Sequence, residues 1–417
     1  MSIGTRGDME PFLAAGELLH AAGHQVHYAF PEQFSGLVPA GRPFYPLSRA
    51  FIELLDSAEG RMIMGGGGNG LAQARALYTL YKKGLRVNGL LVQDQYRIVQ
   101  AVQPDRIIHH AKCTYPVIWG LQTGRKNVLL SPVPYFLHTD ERHAHVGFNF
   151  QWGKLVNRLS YRLANFGLVK TIYDSQQQVP EGKKQSRTNI RQALFDTRLA
   201  YTISPSLYDR PAHWPEHVRV CGYHERNKTL NWQPDAALEA FLQWHEGVVL
   251  LSFGSMVSAD PLRLSQICYQ AMDELGVPVL VNTSSGGLLR LRAYENHRRF
   301  YFVDTIPYDW IMGRVAAVIH HGGSGTTHSG LKNGRPTLII PHIIDQFLWR
   351  DLVHARGLGP RGVSAKKLTT ARLKPLVKDL LENPGYSEKV ESLSRRMKEE
   401  GSREKFVRFM TGANVSS

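Results

Sequence analysis

Short apolar runs alternate along the whole chain with amphipathic stretches of helical period. In the first half, Gln25–Phe30, Arg106–His109, Asn127–Leu130, Leu199–Ile203 and Val218–Cys221 read as strands. In the second half, Val248–Ser252, Val277–Val281, Arg299–Val303, Ala316–His320 and Thr337–Ile340 do the same. Such runs mark strands covered on both faces by crossover helices, so the fold class is α/β with doubly wound parallel sheets. Helices are predicted over Pro11–Ala22, over Leu71–Val102 in two pieces, over Lys154–Gln178 and over Asp235–His245. A polar break at Asn227–Pro234 divides the alternation into two sets, giving domains over 1–226 and 227–385, with terminal helices over 386–417.

Length and composition agree with two cores. The chain has 417 residues, 43% of them hydrophobic and 20% charged, an ordinary globular balance. A net charge of +15 implies attraction to some anion, but the basic residues are spread out in short clusters such as Lys82-Lys83 and Arg395-Arg396. A solvated surface accounts for most of this charge, and peripheral association with an anionic membrane is the partner kept beside it. No nucleic-acid motif accompanies the charge, so nucleic acid is not expected. No apolar run approaches the length of a membrane span and no signal-peptide pattern opens the chain, which reads as cytoplasmic. The three cysteines, Cys113, Cys221 and Cys268, are far apart and read as free thiols.

Two glycine turns carry candidate chemistry. Met1-Ser2-Ile3-Gly4-Thr5-Arg6-Gly7-Asp8 stands directly before a helical run and places an arginine and a carboxylate in one turn. His320-His321-Gly322-Gly323-Ser324-Gly325-Thr326-Thr327 follows a strand and opens a helix, so the N–H groups of Gly325, Thr326 and Thr327 form a positive end suited to phosphate. One strand later, Asp345 can accept from two hydroxyls, and Gln346 can donate and accept. Ser252-Phe253-Gly254-Ser255 ends the first strand of the second domain and faces the same crevice. Diphosphate donors beside hydroxyl acceptors suit a nucleotide sugar. The run Gly65–Gly68 reads as a loop, since no Lys-Ser/Thr follows it.

The stretch HHGGSGTTHSGLKNGRPTLIIPHIIDQ, the upstream Ile306-Pro307-Tyr308-Asp309-Trp310, the SFGS turn and the N-terminal GTRGD together resemble the family 1 inverting glycosyltransferases. The sterol and antibiotic-aglycone branch is the nearest in character, and the resemblance covers nearly the whole chain. It implies a GT-B fold, two Rossmann-like domains facing a cleft, with the last helices from Tyr386 packing back on the first domain. It implies that His321, Gly323, Gly325, Thr326 and Ser255 bind the donor phosphates, that Asp345 and Gln346 hold the sugar, and that Thr305 and Ile306 lie against the base. Thr5 and Arg6 would reach the diphosphate from the other side. Asp8 would be the general base that activates an acceptor hydroxyl for inverting attack on the anomeric carbon.

A UDP-sugar, glucose or a related hexose, is the expected co-substrate, and a sterol or other lipid the expected acceptor. A polyketide or other aglycone with a UDP- or TDP-sugar is the competing enzyme reading. Ser329 stands where plant members carry a ribose-binding glutamate, so the choice between uridine and thymidine stays open. No cofactor is expected, and no metal, because the helix end and the cationic donors take up the leaving-group charge. An inactive binder of nucleotide sugar or lipid is the reading outside enzyme chemistry. An oxidoreductase is disfavoured, since no strand is followed by GxGxxG with its acidic partner. Only Met1-Ser2-Ile3 precede the first turn, so either the true start lies upstream or this strand loses ladder hydrogen bonds and the first domain is weakened.

The blander readings concern single residues. Asp8 and Asp345 are each also in place to cap a helix. His24, His27, His109, His110 and His320 read as structural. His138, Asp140, Glu141, His143 and His145 read as a loop and match no zinc spacing. Tyr135, Phe136, Phe148, Phe150 and Trp152 read equally as an apolar acceptor wall and as core.

Overall fold

The computed structural model describes residues 1–60, 70–148, 152–226, 228–229, 232–254, 260–284 and 286–412. The Gly65–Gly68 run, Phe150 and Ser255 lie outside the described residues. The chain divides into two compact units at Arg226, and the segment from Gly401 belongs to the first.

In the first unit, β1 (Tyr28–Pro31) pairs in parallel with β2 (Phe44–Leu47). A second parallel sheet orders β3 (Arg106–His109), β4 (Lys126–Ser131), β5 (Arg198–Tyr201) and β6 (Val218–Val220) in sequence. Met1–Ile3 bridges the two. Ser2 N–H donates to Ala29 O at 3.1 Å and His110 N–H to Met1 O at 3.0 Å. The terminal ammonium donates to Ile108 O at 2.7 Å, and Ile3 is fully buried. The short segment therefore keeps backbone bonds to a strand on either side.

Helix Arg6–Ala21 begins earlier than its apolar period indicates, because Thr5 and Asp8 close a capping box ahead of Pro11. Its Met9, Phe12 and Leu13 join Phe30, Val128 and Leu130 in a core completed by Phe406, Phe409 and Met410 of helix Arg403–Thr411. Burying side chains of this size contributes about 1.5–3 kcal/mol each. The last helix thus supplies part of the first unit's core.

Two expectations need correction. Gly70–Val102 is one continuous helix, not two pieces, as the sequence holds no proline to break it. The return to the first unit comes at Gly401, later than Tyr386. Helix Pro384–Glu399 stays with the second unit, where Ser394 Oγ donates to Lys332 O at 2.6 Å and Val390, Leu393 and Met397 are buried.

The second unit holds one parallel sheet of β7 (Val249–Ser252), β8 (Val279–Asn282), β9 (Phe300–Val303), β10 (Ala317–His320) and β11 (Thr337–Ile339). The strand order is β11-β10-β7-β8-β9. The chain winds outward from β7 to β9, then returns to lay β10 on the other side of β7. The gap beyond the carboxyl ends of β7 and β10 is therefore the topological switch point, where doubly wound sheets bind ligands. His320 is paired in register with Ser252 at that edge. Among the described residues no helix is long and apolar enough to cross a membrane.

Candidate functional site

In the first unit the candidate residues gather around Asp8. Gly4 has φ +142°, and a Cβ there would stand 2.1 Å from Asp8 Oδ2 and 2.8 Å from Lys112 Nζ, so only glycine lets the carboxylate fold back over the turn. Asp8 Oδ2 accepts from Thr5 N–H at 2.7 Å and from Thr5 Oγ1 at 3.2 Å. Asp8 Oδ1 faces Lys112 Nζ at 3.3 Å and His110 Nε2 at 3.7 Å. Burial alone would raise the Asp8 carboxyl, but Lys112, His110 and the Thr5 N–H outweigh it and hold it below the ordinary carboxylate range.

His110 Nδ1 accepts from the Lys112 backbone N–H at 3.3 Å. The neutral ring then carries its proton on Nε2, directed at Asp8. Burial, reinforced by Lys112, pushes His110 down to about 3, so it stays neutral at ordinary pH. His110 therefore turns an N–H toward Asp8 at 3.7 Å, beyond hydrogen-bond distance, where the sequence reading had it structural. Lys112 was missed altogether, and its one signal, a lysine just past a strand end, is visible only once β3 is set beside Met1–Ile3. Arg6 is half-exposed and anchored by Glu10 Oε1 at 3.2 Å, while Arg226 holds the other oxygen at 2.9 Å. Its guanidinium retains donors for an anion.

In the second unit the His321 ring lies between two glycines. A Cβ on Gly254 would come within 2.8 Å of the ring and one on Gly323 within 2.6 Å. Gly322, at φ +96°, would similarly strike Ile339. Among the described residues His321 Nδ1 is buried with no hydrogen-bond partner, a state that calls for a ligand group or water. Burial, with His342 nearby, pushes His321 down to about 3. His320 uses Nδ1 to accept from Gly322 N–H at 3.0 Å and shapes the turn.

The helix Ser324–Lys332 starts directly after Gly323. Its N-terminus carries the positive end expected there, with Gly325 exposed and Thr326 buried. Thr327 differs from expectation. Its N–H and Oγ1 both donate to Gly323 O, at 3.0 and 2.9 Å, and so serve the helix and not a ligand.

Asp345 is the first residue of helix Asp345–Ala355 and not its cap, which is Ile344. Ile344 adopts φ +29°, ψ −105° and is half-exposed, an unfavourable conformation for a β-branched residue and of a kind that gathers at functional sites. Gln346 is buried, and its Oε1 accepts from the N–H groups of His342 at 2.7 Å and Ile343 at 3.1 Å. Both lone pairs are thereby used, so Gln346 can only donate to a sugar hydroxyl, contrary to the donor-and-acceptor role expected. Thr305 is exposed after β9, whereas the Ile306 side chain is buried against Leu238, Phe241 and Val318. Ile306 could meet a base only through its backbone.

Among the described residues the loop after β4 forms no ligand set. Asp140 accepts from Arg142 Nε at 2.9 Å and from Tyr208 OH at 2.8 Å, Glu141 pairs with Arg158, and His143 Nδ1 contacts Ala144 O at 2.7 Å. Tyr135 is core, stacked on His143, whereas Trp152 is exposed.

The comparisons agree with this construction. Residues 292–408 match the family described as erythromycin biosynthesis protein CIII-like, C-terminal domain. Over 95% of its length the chain is 26% identical to a sterol 3-beta-glucosyltransferase of Arabidopsis thaliana, spanning 62% of that relative. These likenesses support a family 1 glycosyltransferase. Its fold is GT-B. The solved glycotransferase of kitacinnamycin superposes with TM-score 0.69 at 16% identity, covering 99% of this chain and 97% of that one. An Os79 variant of O. sativa, solved in complex with UDP, superposes with TM-score 0.66 at 15% identity, covering 99% of each.

Proposed function

We propose that the chain transfers a hexose, glucose or a close relative, from a nucleoside-diphosphate sugar to a hydroxyl of a lipophilic acceptor of the sterol kind. The observation that carries the donor half is His321, held between Gly254 and Gly323 at the switch point with Nδ1 unmet beside a helix N-terminus. A diphosphate oxygen is the group that such a turn accommodates. The Arabidopsis relative, named for sterol glucosylation and aligned over 95% of this chain, supports the acceptor class. Solved neighbours hold either UDP or thymidine diphosphate, so both uridine and thymidine donors are kept in this reading.

In this reading the Asp8 carboxylate, held by Thr5 on Oδ2 and by Lys112 on Oδ1, takes the proton from the acceptor hydroxyl. The hydroxyl oxygen attacks the anomeric carbon, the bond to the diphosphate oxygen breaks, and configuration inverts. Charge on the departing nucleotide is met by His321, the helix end at Ser324–Thr326 and Arg6, and the reading needs no metal. Asp345 and the Gln346 amide orient the sugar. The test is nucleotide release from UDP-glucose and TDP-glucose with and without a panel of sterols and aglycones. Acceptor-dependent release supports transfer. Tight nucleotide binding with no release across the panel would favour an inactive binder.

A further inference from the structure

We propose that the outer face of helix Lys154–Ser175 docks on an anionic lipid surface. The helix carries apolar side chains on its outer face as well as its inner one, where Val169 and Ile172 are buried. Its protein-facing side includes Asn157, Ser160 and Tyr161, all buried. Asn157 Nδ2 donates to Glu141 O at 2.9 Å, Asn165 Nδ2 to Leu137 O at 3.0 Å, and Ser160 Oγ accepts from His145 N–H at 2.8 Å. The solvent side instead carries Leu155 (78% exposed), Leu159 (51%), Leu163 (56%) and Phe166 (62%). At about 100° per residue these four fall within an arc of about 80°, one stripe along the helix. Trp152, 72% exposed, stands just before its start. Single exposed leucines need no explanation, but a continuous apolar stripe does.

Charge selects the occupant. Lys154, Arg158 and Arg162 follow one another at every fourth position along one edge of the stripe, and the helix's sole acidic residue, Asp174, lies at the far end. Glu141 offsets part of this row by pairing with Lys154 and Arg158. The edge remains net positive on a chain of charge +15. An apolar stripe bordered by cations suits the interface of an anionic bilayer, acyl chains below and headgroups beside. A second copy of this chain would bring the same basic row close to itself, which disfavours self-association.

The inference does not depend on transferase activity, and its test does not read activity. The full chain is floated with vesicles of phosphatidylcholine alone and of phosphatidylcholine with about 30% phosphatidylglycerol, at low and high salt. The wild type is expected to float with the anionic vesicles and to be released by salt. Leu159→Gln/Leu163→Gln, at exposed positions that leave the fold intact by circular dichroism, is expected to weaken binding by at least about tenfold. Lys154→Gln/Arg162→Gln should weaken it several-fold and flatten the salt dependence. A wild type that does not float, or a leucine pair variant that floats equally well, overturns the proposal. So does a wild-type dimer that the leucine pair dissolves in the absence of vesicle binding, since the face would then join copies of the chain.

Discussion

Lys112 Nζ lies 3.3 Å from Asp8 Oδ1 although the two residues are 104 positions apart in the chain. The lysine is the largest favourable influence on a carboxyl that burial would otherwise push upward. If ionised Asp8 is the base, removing Lys112 raises its pKa, and the proton leaves it only at higher pH. Lys112→Met is therefore expected to move the acid limb of the kcat/KM profile to higher pH while nucleotide binding is retained. A limb that stays in place or moves to lower pH would show that Asp8 does not set it.

Gly323→Ala tests the donor half with little backbone cost, since Gly323 has φ −63°, ψ 141°, which any residue adopts. The added methyl would need space 2.6 Å from His321 Nε2, so the ring must shift. Displacing one positioned donor or acceptor at a diphosphate costs about 1.5–3 kcal/mol, which is at least about a tenfold loss of UDP affinity by calorimetry. Unchanged affinity would remove His321 from the site.

These positions also show what the sequence made legible. The buried runs of β7, β8 and β10 could be placed because parallel strands covered on both faces carry apolar residues without interruption. The glycines around His321 were legible because close approach demands glycine. Partnership across the chain was not. His110 and Lys112 reach Asp8 only because Met1–Ile3 inserts beside β3, a pairing no local pattern encodes. Gln346 and Ile306 lie in segments placed correctly, yet their side chains turn to the loop and the core, which spacing alone does not reveal. The crossing at Gly401 was placed too early, at Tyr386, because helix Pro384–Glu399 has an apolar row that fits either unit by pattern.

Asp140 is 2% exposed and joins Arg142 to Tyr208. The Arg142 hydrogen bonds hold its carboxyl below the usual range against the effect of burial. Asp140→Asn keeps the shape but loses charge-assisted bonds, and is expected to cost about 1–3 kcal/mol in urea unfolding. A stability within error of wild type would mean that the Asp140 pair contributes nothing net.

Several histidines are held neutral by burial. His109, His138, His328 and His342 are pushed down to about 4, and His110 and His321 to about 3. Their pKa values are lower folded than unfolded, so the unfolded chain binds more protons once the pH drops below about 6.5. The stability they permit is fully present above that pH and is lost progressively as the pH falls toward 4 and 3. Each can contribute up to about 1.4 kcal/mol per pH unit. Thermal unfolding is expected to be nearly constant from pH 8 to 7 and to fall steeply below 6. A flat profile down to pH 4.5 would contradict the buried, neutral assignment.

The central claim is that Asp8 accepts the acceptor's proton while the second unit holds the donor. The most direct measurement is glucosylated product formed from UDP-glucose and a sterol by wild type and Asp8→Asn, with UDP affinity measured for both. Asparagine can still accept from Thr5 N–H, so the capping loss stays within about 0.5–2 kcal/mol. The account predicts a fall in kcat of about 10²–10⁴-fold with UDP affinity unchanged. Product formed by folded Asp8→Asn at near the wild-type rate would contradict it.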